Sequence, residues 1–350
     1  MYIYYAIFLT CIYILSKLLK KNFSIIYLFC SIFIFGQRWG SGTDFPNYLR
    51  YYLINFKREY IYTYLQEVII KYDLYFGLLI FSVYSITVSL FIYFINKVIK
   101  RPNDISYLFF LTESHFALTS QIRNWAAISF FLCAYYMYKI KNKKILSICL
   151  ISLGYGFHRS ILYVILLLIF PIKLTKKAKS GLLIVCGIIS TINFKYVFKI
   201  FQNFKYITYL DSDYNNPLSW INKMKFLLLL LLYLIYFILD KDKNKDEEDI
   251  FIEEGAYIYL ITYAISLNMG MFLRISHYFK IFELLYLFSA IKYTKIRKLK
   301  IIPYTYILLY FIGCLITNSY NHNKYEFKML KIYRDKPKEE YIEYLKNIEW

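Results

Sequence analysis

Apolar residues run through this chain in long blocks. Stretches such as Leu74–Ile95 and Phe226–Leu239 are apolar on nearly every face of a helical wheel and are separated by short lysine-rich connectors. A helix on the surface of a soluble protein would keep a polar stripe, and the strands of an outer-membrane barrel would alternate every second residue over roughly ten positions. Neither pattern occurs. The blocks approach the roughly 20 residues that carry a helix across hydrocarbon, where a helix satisfies its own backbone groups. The expected fold is therefore all-α, a polytopic integral membrane protein with roughly twelve transmembrane helices, several short or paired as hairpins. The candidate spans are Tyr2–Ser16, Ser24–Gly36, Leu74–Ile95, Ile105–Thr119, Trp125–Tyr138, Ile145–Phe157, Ile161–Ile172, Gly181–Phe194, Phe226–Leu239, Ala256–Met271, Tyr278–Ile291 and Ile301–Thr317. Residues 1–317 form one transmembrane domain with external loops at 37–73 and 195–225, followed by a polar tail at 318–350.

The basic connectors orient this array. Lys17–Lys21, Lys97–Arg101, Lys139–Lys144, Lys173–Lys179, Lys241–Lys245 and Lys292–Lys300 belong in the cytoplasm by the positive-inside rule. Both clusters flanking Ile145–Ile172 stay inside only if the chain turns at His158–Arg159. The same logic turns the chain at Arg123 and at Arg274 and puts the connector Gln37–Asp73 outside. The polar features then share one side, in turns sunk below the headgroups because the hairpin arms are short. Parity also puts Lys195–Lys225 and the lysine-rich tail outside, which the orientation rule disfavours. Trp39, Trp125 and Trp220 fall near outer ends, where aromatic belts form.

Composition narrows the classes. The chain has 350 residues, 59% of them hydrophobic, and a net charge of +20. In a soluble protein that charge would suggest nucleic acid. Here the basic residues lie mostly between spans, where topology and anionic lipid account for them, so no nucleic acid is expected. Met1–Ser16 lacks a basic leader region and a small-residue cleavage site and reads as a retained span. Cys11, Cys30, Cys133, Cys149, Cys186 and Cys314 lie in apolar runs without metal-ligand spacing and read as core residues, so neither disulfides nor a metal is expected. No phosphate-binding loop, zinc-protease or serine-hydrolase motif is present in the sequence. The acidic run Asp246–Asp249 with Glu253 and Glu254 reads as a solvated cytoplasmic loop.

An arginine in hydrocarbon costs several kcal/mol and marks function by default. In the first connector, Arg38, Gly40, Gly42, Asp44 and Tyr48 combine opposite charges with two glycines that permit close backbone approach. The bland alternative is a turn closed by a surface ion pair. Arg123 begins an apolar helix, where snorkelling to the interface is the simpler account. His158, Arg159 and Ser160 join an imidazole that can titrate near neutral pH to a cation and a hydroxyl, although a lone intramembrane histidine is often a structural hydrogen-bonder. Arg274 and Tyr278 are four apart, on one face if the helix continues, with His277 beside them. Four arginines on one side exceed what anchoring needs and match bidentate recognition of a diphosphate.

In their order and spacing, Arg38–Tyr48, Arg123–Ala126, Phe157–Ser160 and Arg274–Phe279 resemble the motifs of the EpsG family, which is similar to the Wzy O-antigen and capsule polymerases. Trp39, Phe45 and Asn124 depart from the usual pattern. The resemblance implies a glycosyltransferase in the bacterial inner membrane, with its site facing the periplasm or exterior. Its substrate would be an oligosaccharide carried on undecaprenyl diphosphate. A sugar hydroxyl of one lipid-linked unit attacks the anomeric carbon of the growing chain, and undecaprenyl diphosphate leaves. Arg123 and Arg274 would grip the diphosphate, with Arg38 and Arg159 as further clamps. Gly40, Gly42, Tyr48, Ser160, His277 and Tyr278 would line the substrate, and His158, then Asp44, would serve as base. No cofactor is implied. A flippase, a chain-length regulator and membrane lipids are the expected partners. A ligase, a lipid-linked-sugar flippase and a membrane acyltransferase are the competing classes; a flippase would spread its charges along an alternating-access path.

Overall fold

A computed structural model describes residues 2–20, 23–35, 38–39, 44–99, 102–111, 120–170, 173–192, 218–239, 245–293, 301, 304–310, 312–313, 328–329 and 338–346. The described residues are helical apart from turns and one pair of two-residue strands. Two compact units divide the chain, one formed by Met1–Leu162 with Tyr310–Trp350, the other by Tyr163–Leu309.

The first unit contains α1 (Tyr2–Leu18), α2 (Phe23–Phe35), β1 (Arg38–Trp39), α3 (Phe45–Leu53), α4 (Tyr60–Lys71), α5 (Gly77–Val98), α6 (Pro102–Leu111), α7 (Ile122–Lys139) and α8 (Lys144–Phe157). Helix α7 is its axis, buried almost continuously from Asn124 to Met137 and packed on α5 and α8. Lipid tails are as apolar as leucine, so close packing and polar contacts hold such helices together rather than area removed from water. Small residues supply the closeness. A Cβ at Gly154 would lie 2.7 Å from Ile161 Cδ1 and 3.0 Å from Phe130 Cβ, and Ser147 Oγ donates to the Ala134 carbonyl at 3.0 Å. Likewise Gly156 lets α8 meet α4, since a Cβ there would stand 2.4 Å from Ile61 Cγ1.

The connector 37–73 is largely helical over its described residues 44–73. It carries α3 and α4, because Phe45, Tyr48 and Leu49 recur at helical spacing and bury one face, while Tyr62, Gln66 and Ile69 do the same one helix later. The C-terminal tail returns to it. β1 pairs antiparallel with β2 (Lys328–Met329), Arg38 opposite Met329 and Trp39 opposite Lys328. Helix α15 (Lys338–Lys346) packs on α3, with Leu345 against the cluster of Phe45, Tyr48 and Leu49. Connector and tail therefore pack together.

The second unit starts within the short helix α9 (Ile161–Ile165), continued by a 3-10 turn at Leu166–Ile169. It adds α10 (Lys176–Thr191), α11 (Trp220–Leu239), α12 (Glu247–Ser266), α13 (Leu273–Ser276) and α14 (Ile281–Tyr293). Its axis is α12. Gly255 admits the Phe282 ring of α14, which a Cβ would approach within 2.4 Å. Asn268 Nδ2 donates to the carbonyls of Ile189 and Ser190 at 3.2 and 3.0 Å, answering orphan acceptors at the end of α10.

Several expectations change. Among the described residues two helices, Gly77–Val98 and Trp220–Ile238, are long and apolar enough to cross a membrane, which leaves the expected dozen unconfirmed. Ala6–Leu18, Lys144–Phe157 and Ile281–Ala290 are apolar but shorter, because turns interrupt the apolar blocks. The exposed apolar residues of α11, among them Ile221, Leu227, Leu228, Leu231 and Ile238, make an outward face suited to lipid. Trp125 belongs to no interfacial belt; it is fully buried against Phe91 and Phe109. Cys133 and Cys186 are core residues as expected, whereas Cys11 and Cys149 are exposed. The acidic run also differs: Asp249, Glu253 and Glu254 are buried in α12, because Glu253 is bracketed by Lys179 at 2.8 Å and Lys245 at 2.9 Å and Asp249 accepts from Ser289 Oγ at 3.0 Å.

Candidate functional site

The first unit brings together three of the sequence motifs at the N-terminus of α7. Arg123 occupies the second position of that helix. Its Nη1 donates to Glu59 Oε2 at 2.5 Å, and both side chains are only 12% exposed. The guanidinium lies over the rings of Tyr48, at 5.5 Å, and Tyr62, at 5.2 Å, which are 6.1 Å apart. Two aromatic faces and one carboxylate thus hold a cation that would otherwise be expensive to bury. Burial pushes the Tyr48 and Tyr62 hydroxyls above the ordinary tyrosine range, so both remain protonated donors. Asp44, half-buried, precedes α3 with Pro46 in the first turn, where the helix dipole favours its charge.

Next to Arg123, Asn124 reaches the turn between α8 and α9. Ser160 Oγ lies 2.8 Å from Asn124 Oδ1 and 2.7 Å from His158 Nδ1, and the Ser160 amide N–H donates to the same ring nitrogen at 3.1 Å. An amide N–H can donate only to a lone pair, which places the imidazole proton of neutral His158 on Nε2. Ser160 Oγ donates to Asn124 Oδ1, and Asn124 Nδ2 in turn donates to Gln121 Oε1 at 3.4 Å. His158 leaves the helix in extended backbone, φ −159° and ψ 129°, so the helix breaks at the position singled out from the sequence. Arg159 in this turn is exposed.

The Arg274 motif belongs to the second unit. Its helix does not continue: α13 ends at Ser276 and the chain bends through 277–280 by i→i−3 bonds, Tyr278 N to Ile275 O at 3.1 Å among them. Arg274 and Tyr278 therefore do not share a face. The arginine is exposed and the tyrosine fully buried. Burial, reinforced by Lys225 and Arg274, holds the His277 imidazole down to about 4, so it is neutral at physiological pH and acts as a hydrogen-bonding group rather than a cation. Nearby, Lys225 faces the buried carboxylate of Glu283 at 3.8 Å, and Tyr306 Oη donates to Glu283 at 2.5 Å.

The depressed His277 value has a measurable consequence. Between pH 6.5 and about 4 the unfolded chain takes up a proton that the folded chain refuses, so the stability present above pH 6.5 falls as pH drops through that window, by on the order of 3 kcal/mol. Thermal unfolding in detergent at pH 7 and pH 4.5 should show a smaller loss for His277→Gln than for the wild type. An identical loss would contradict this account.

Glu59, Tyr62 and Asn124 were not singled out from the sequence as site residues. Glu59 directly precedes a helical run that buries Tyr62 at its third position, so an amphipathic reading of 60–71 would have aimed both toward the protein. Its pairing with Arg123, 64 positions away, has no local signal. Arg38 lies in β1, with its side chain outside the described residues, as are Gly40 and Gly42.

The model of the EpsG family matches residues 20–331, a range that includes every motif above. No curated protein and no solved structure matches.

Proposed function

Since the chain belongs to the EpsG family, we propose that it is a membrane polysaccharide polymerase that transfers glycan from an undecaprenyl diphosphate-linked chain to the sugar hydroxyl of another lipid-linked repeat unit on the outer face of the membrane. The observation that carries this reading is the assembly at the start of α7, where a guanidinium, two protonated tyrosines, a carboxylate and the Asn124–Ser160–His158 chain meet within one unit. The acceptor oxygen attacks the anomeric carbon, the bond from that carbon to the diphosphate oxygen breaks, and the electron pair leaves on undecaprenyl diphosphate. The leaving group is already activated. The protein's work is to hold two substrates in line and to meet growing negative charge with fixed donors.

Arg123 uses one nitrogen on Glu59, and its other terminal nitrogen is assigned to the donor substrate. Arg274, exposed, is assigned charge on the diphosphate, with Arg38 and Arg159 as further contacts and Gly40 and Gly42 allowing close approach. Asp44 and Tyr48 orient the connector. His158 presents Nε2–H as a donor, and His277 is assigned a hydrogen bond to substrate, while the buried Ser160 and Tyr278 hold the site's framework. Deleting the gene and extracting lipids tests this. Cells should accumulate undecaprenyl diphosphate bearing a single repeat unit, reachable from outside by an impermeant sugar-oxidising reagent. A repeat unit trapped inside would indicate a flippase, and free polymer missing its final acceptor a ligase; either outcome refutes the proposal.

A further inference from the structure

In the transfer just proposed, the proton of the acceptor hydroxyl needs a destination, and His158 offers a poor one because Ser160 holds Nδ1 and the proton sits on Nε2. We infer that Glu59 takes it, as the catalytic base of an acceptor-sugar subsite formed with Tyr62 and Arg123; this rests on the glycosyl-transfer reading of the same site. Glu59 stands at the N-cap of α4 yet makes no capping bond, so its carboxylate is not spent on its own helix. It turns instead to Arg123, which binds Oε2 and holds the group in one orientation. The other oxygen, Oε1, has no hydrogen-bond partner among the described residues and is not sealed from solvent.

Around this acceptor stand two unused donors. The Tyr62 hydroxyl, on a side chain with no exposed surface, and Arg123 Nε are both buried without a hydrogen-bond partner among the described residues. Buried polar groups are rarely left unanswered, and those that are call for an explanation. One acceptor oxygen beside two donors is the complement of neighbouring hydroxyls on a pyranose, each of which donates once and accepts once. The rim adds an aromatic surface. Tyr60, adjacent to Glu59, is 55% exposed, anchored through its hydroxyl to the Ser152 carbonyl at 2.7 Å and placed 6.1 Å from the Tyr155 ring, and can stack on the apolar face of a sugar. Exposed aromatic, carboxylate and buried donors thus follow one another within residues 59–62.

The step balances. Glu59 Oε1 accepts the hydroxyl proton as the acceptor oxygen bonds to the anomeric carbon, the diphosphate departs with the electron pair of the broken bond, and the protonated carboxyl releases its proton to water. The ligand class is the hydroxyl-bearing, non-reducing end of an acceptor glycan.

The experiment uses full-length protein in phosphatidylethanolamine–phosphatidylglycerol vesicles, supplied with lipid-linked repeat units extracted from the deletion strain. Glu59→Gln keeps the size of the side chain and an oxygen for Arg123 but cannot take a proton. It should lower kcat by roughly 100-fold or more with KM little changed, and it should erase the acidic limb of the pH–rate profile. Glu59→Ala should recover turnover when formate is added as an external base. If Glu59→Gln stays within tenfold of wild type, or Glu59→Ala is inactive and indifferent to formate, the residue is structural and the inference is overturned. Should the Gln variant not be recovered folded, Glu59→Asp decides: retention of the acidic limb supports the inference and its loss overturns it. Wild-type protein that makes no polymer would overturn the transfer reading itself, whereas active wild type with an active Gln variant overturns only the role of Glu59.

Discussion

Replacing Arg123 by alanine should abolish polymer, with turnover down at least about 100-fold, and should also cost about 3–5 kcal/mol of stability. Both effects arise from one removal. The change strips N–H donors from the site, and it leaves Glu59, 12% exposed, as a buried charge with no counter-ion. The Tyr48 and Tyr62 rings lose the cation between them as well. Arg123→Lys is not a remedy, because an ammonium cannot span Glu59 and a substrate oxygen with a planar fork. The two consequences separate in a double variant. Arg123→Ala with Glu59→Ala removes the unpaired charge, so thermal unfolding should return most of the way to wild type while polymer on a gel stays absent. A double variant as unstable as the single one would show that the ion pair is not what holds α4 to α7.

The second large effect lies away from any proposed chemistry. Glu253→Ala should destabilise the protein by on the order of 3–5 kcal/mol, because it removes the carboxylate that two largely buried ammonium groups share. Lys179, 7% exposed, and Lys245, 16% exposed, each contact a different oxygen of that carboxylate at 2.8 and 2.9 Å. Lys179 comes from α10 and Lys245 precedes α12, so the carboxylate ties two helices and a connector together. Lys245→Ala should cost much less, since the Lys179 pair survives. Melting temperatures of the purified variants check the order, and a Glu253→Ala variant as stable as Lys245→Ala would refute the triad's structural role.

Both predictions turn on acidic residues whose partners local patterning did not reveal. Asp249, Glu253 and Glu254 look like a solvated run when counted along the chain, yet at helical spacing they face α10 and α14, where lysine and serine partners wait. Trp125 shows the opposite error. It was read as an interfacial anchor from its position near a helix end, and it is buried because α5 and α6 bring Phe91 and Phe109 over it. The Arg274–Tyr278 face failed for a local reason, since the helix stops at Ser276. By contrast, a break at His158–Arg159 was legible in the sequence, and the helix does end at Phe157.

From the order of residues alone came the all-helical class, the membrane as solvent, the break at His158 and the arginines where chemistry was to be sought, since hydropathy and charge are properties of short segments. Which way each helix faces did not follow, because a helix apolar all round carries no record of its rotation. The pairing of Glu59 with Arg123, the return of the tail to the first connector and the burial of the acidic run on α12 all depend on residues far apart in the chain. Such contacts exist only once helices have packed, and no periodicity within one segment encodes a partner in another.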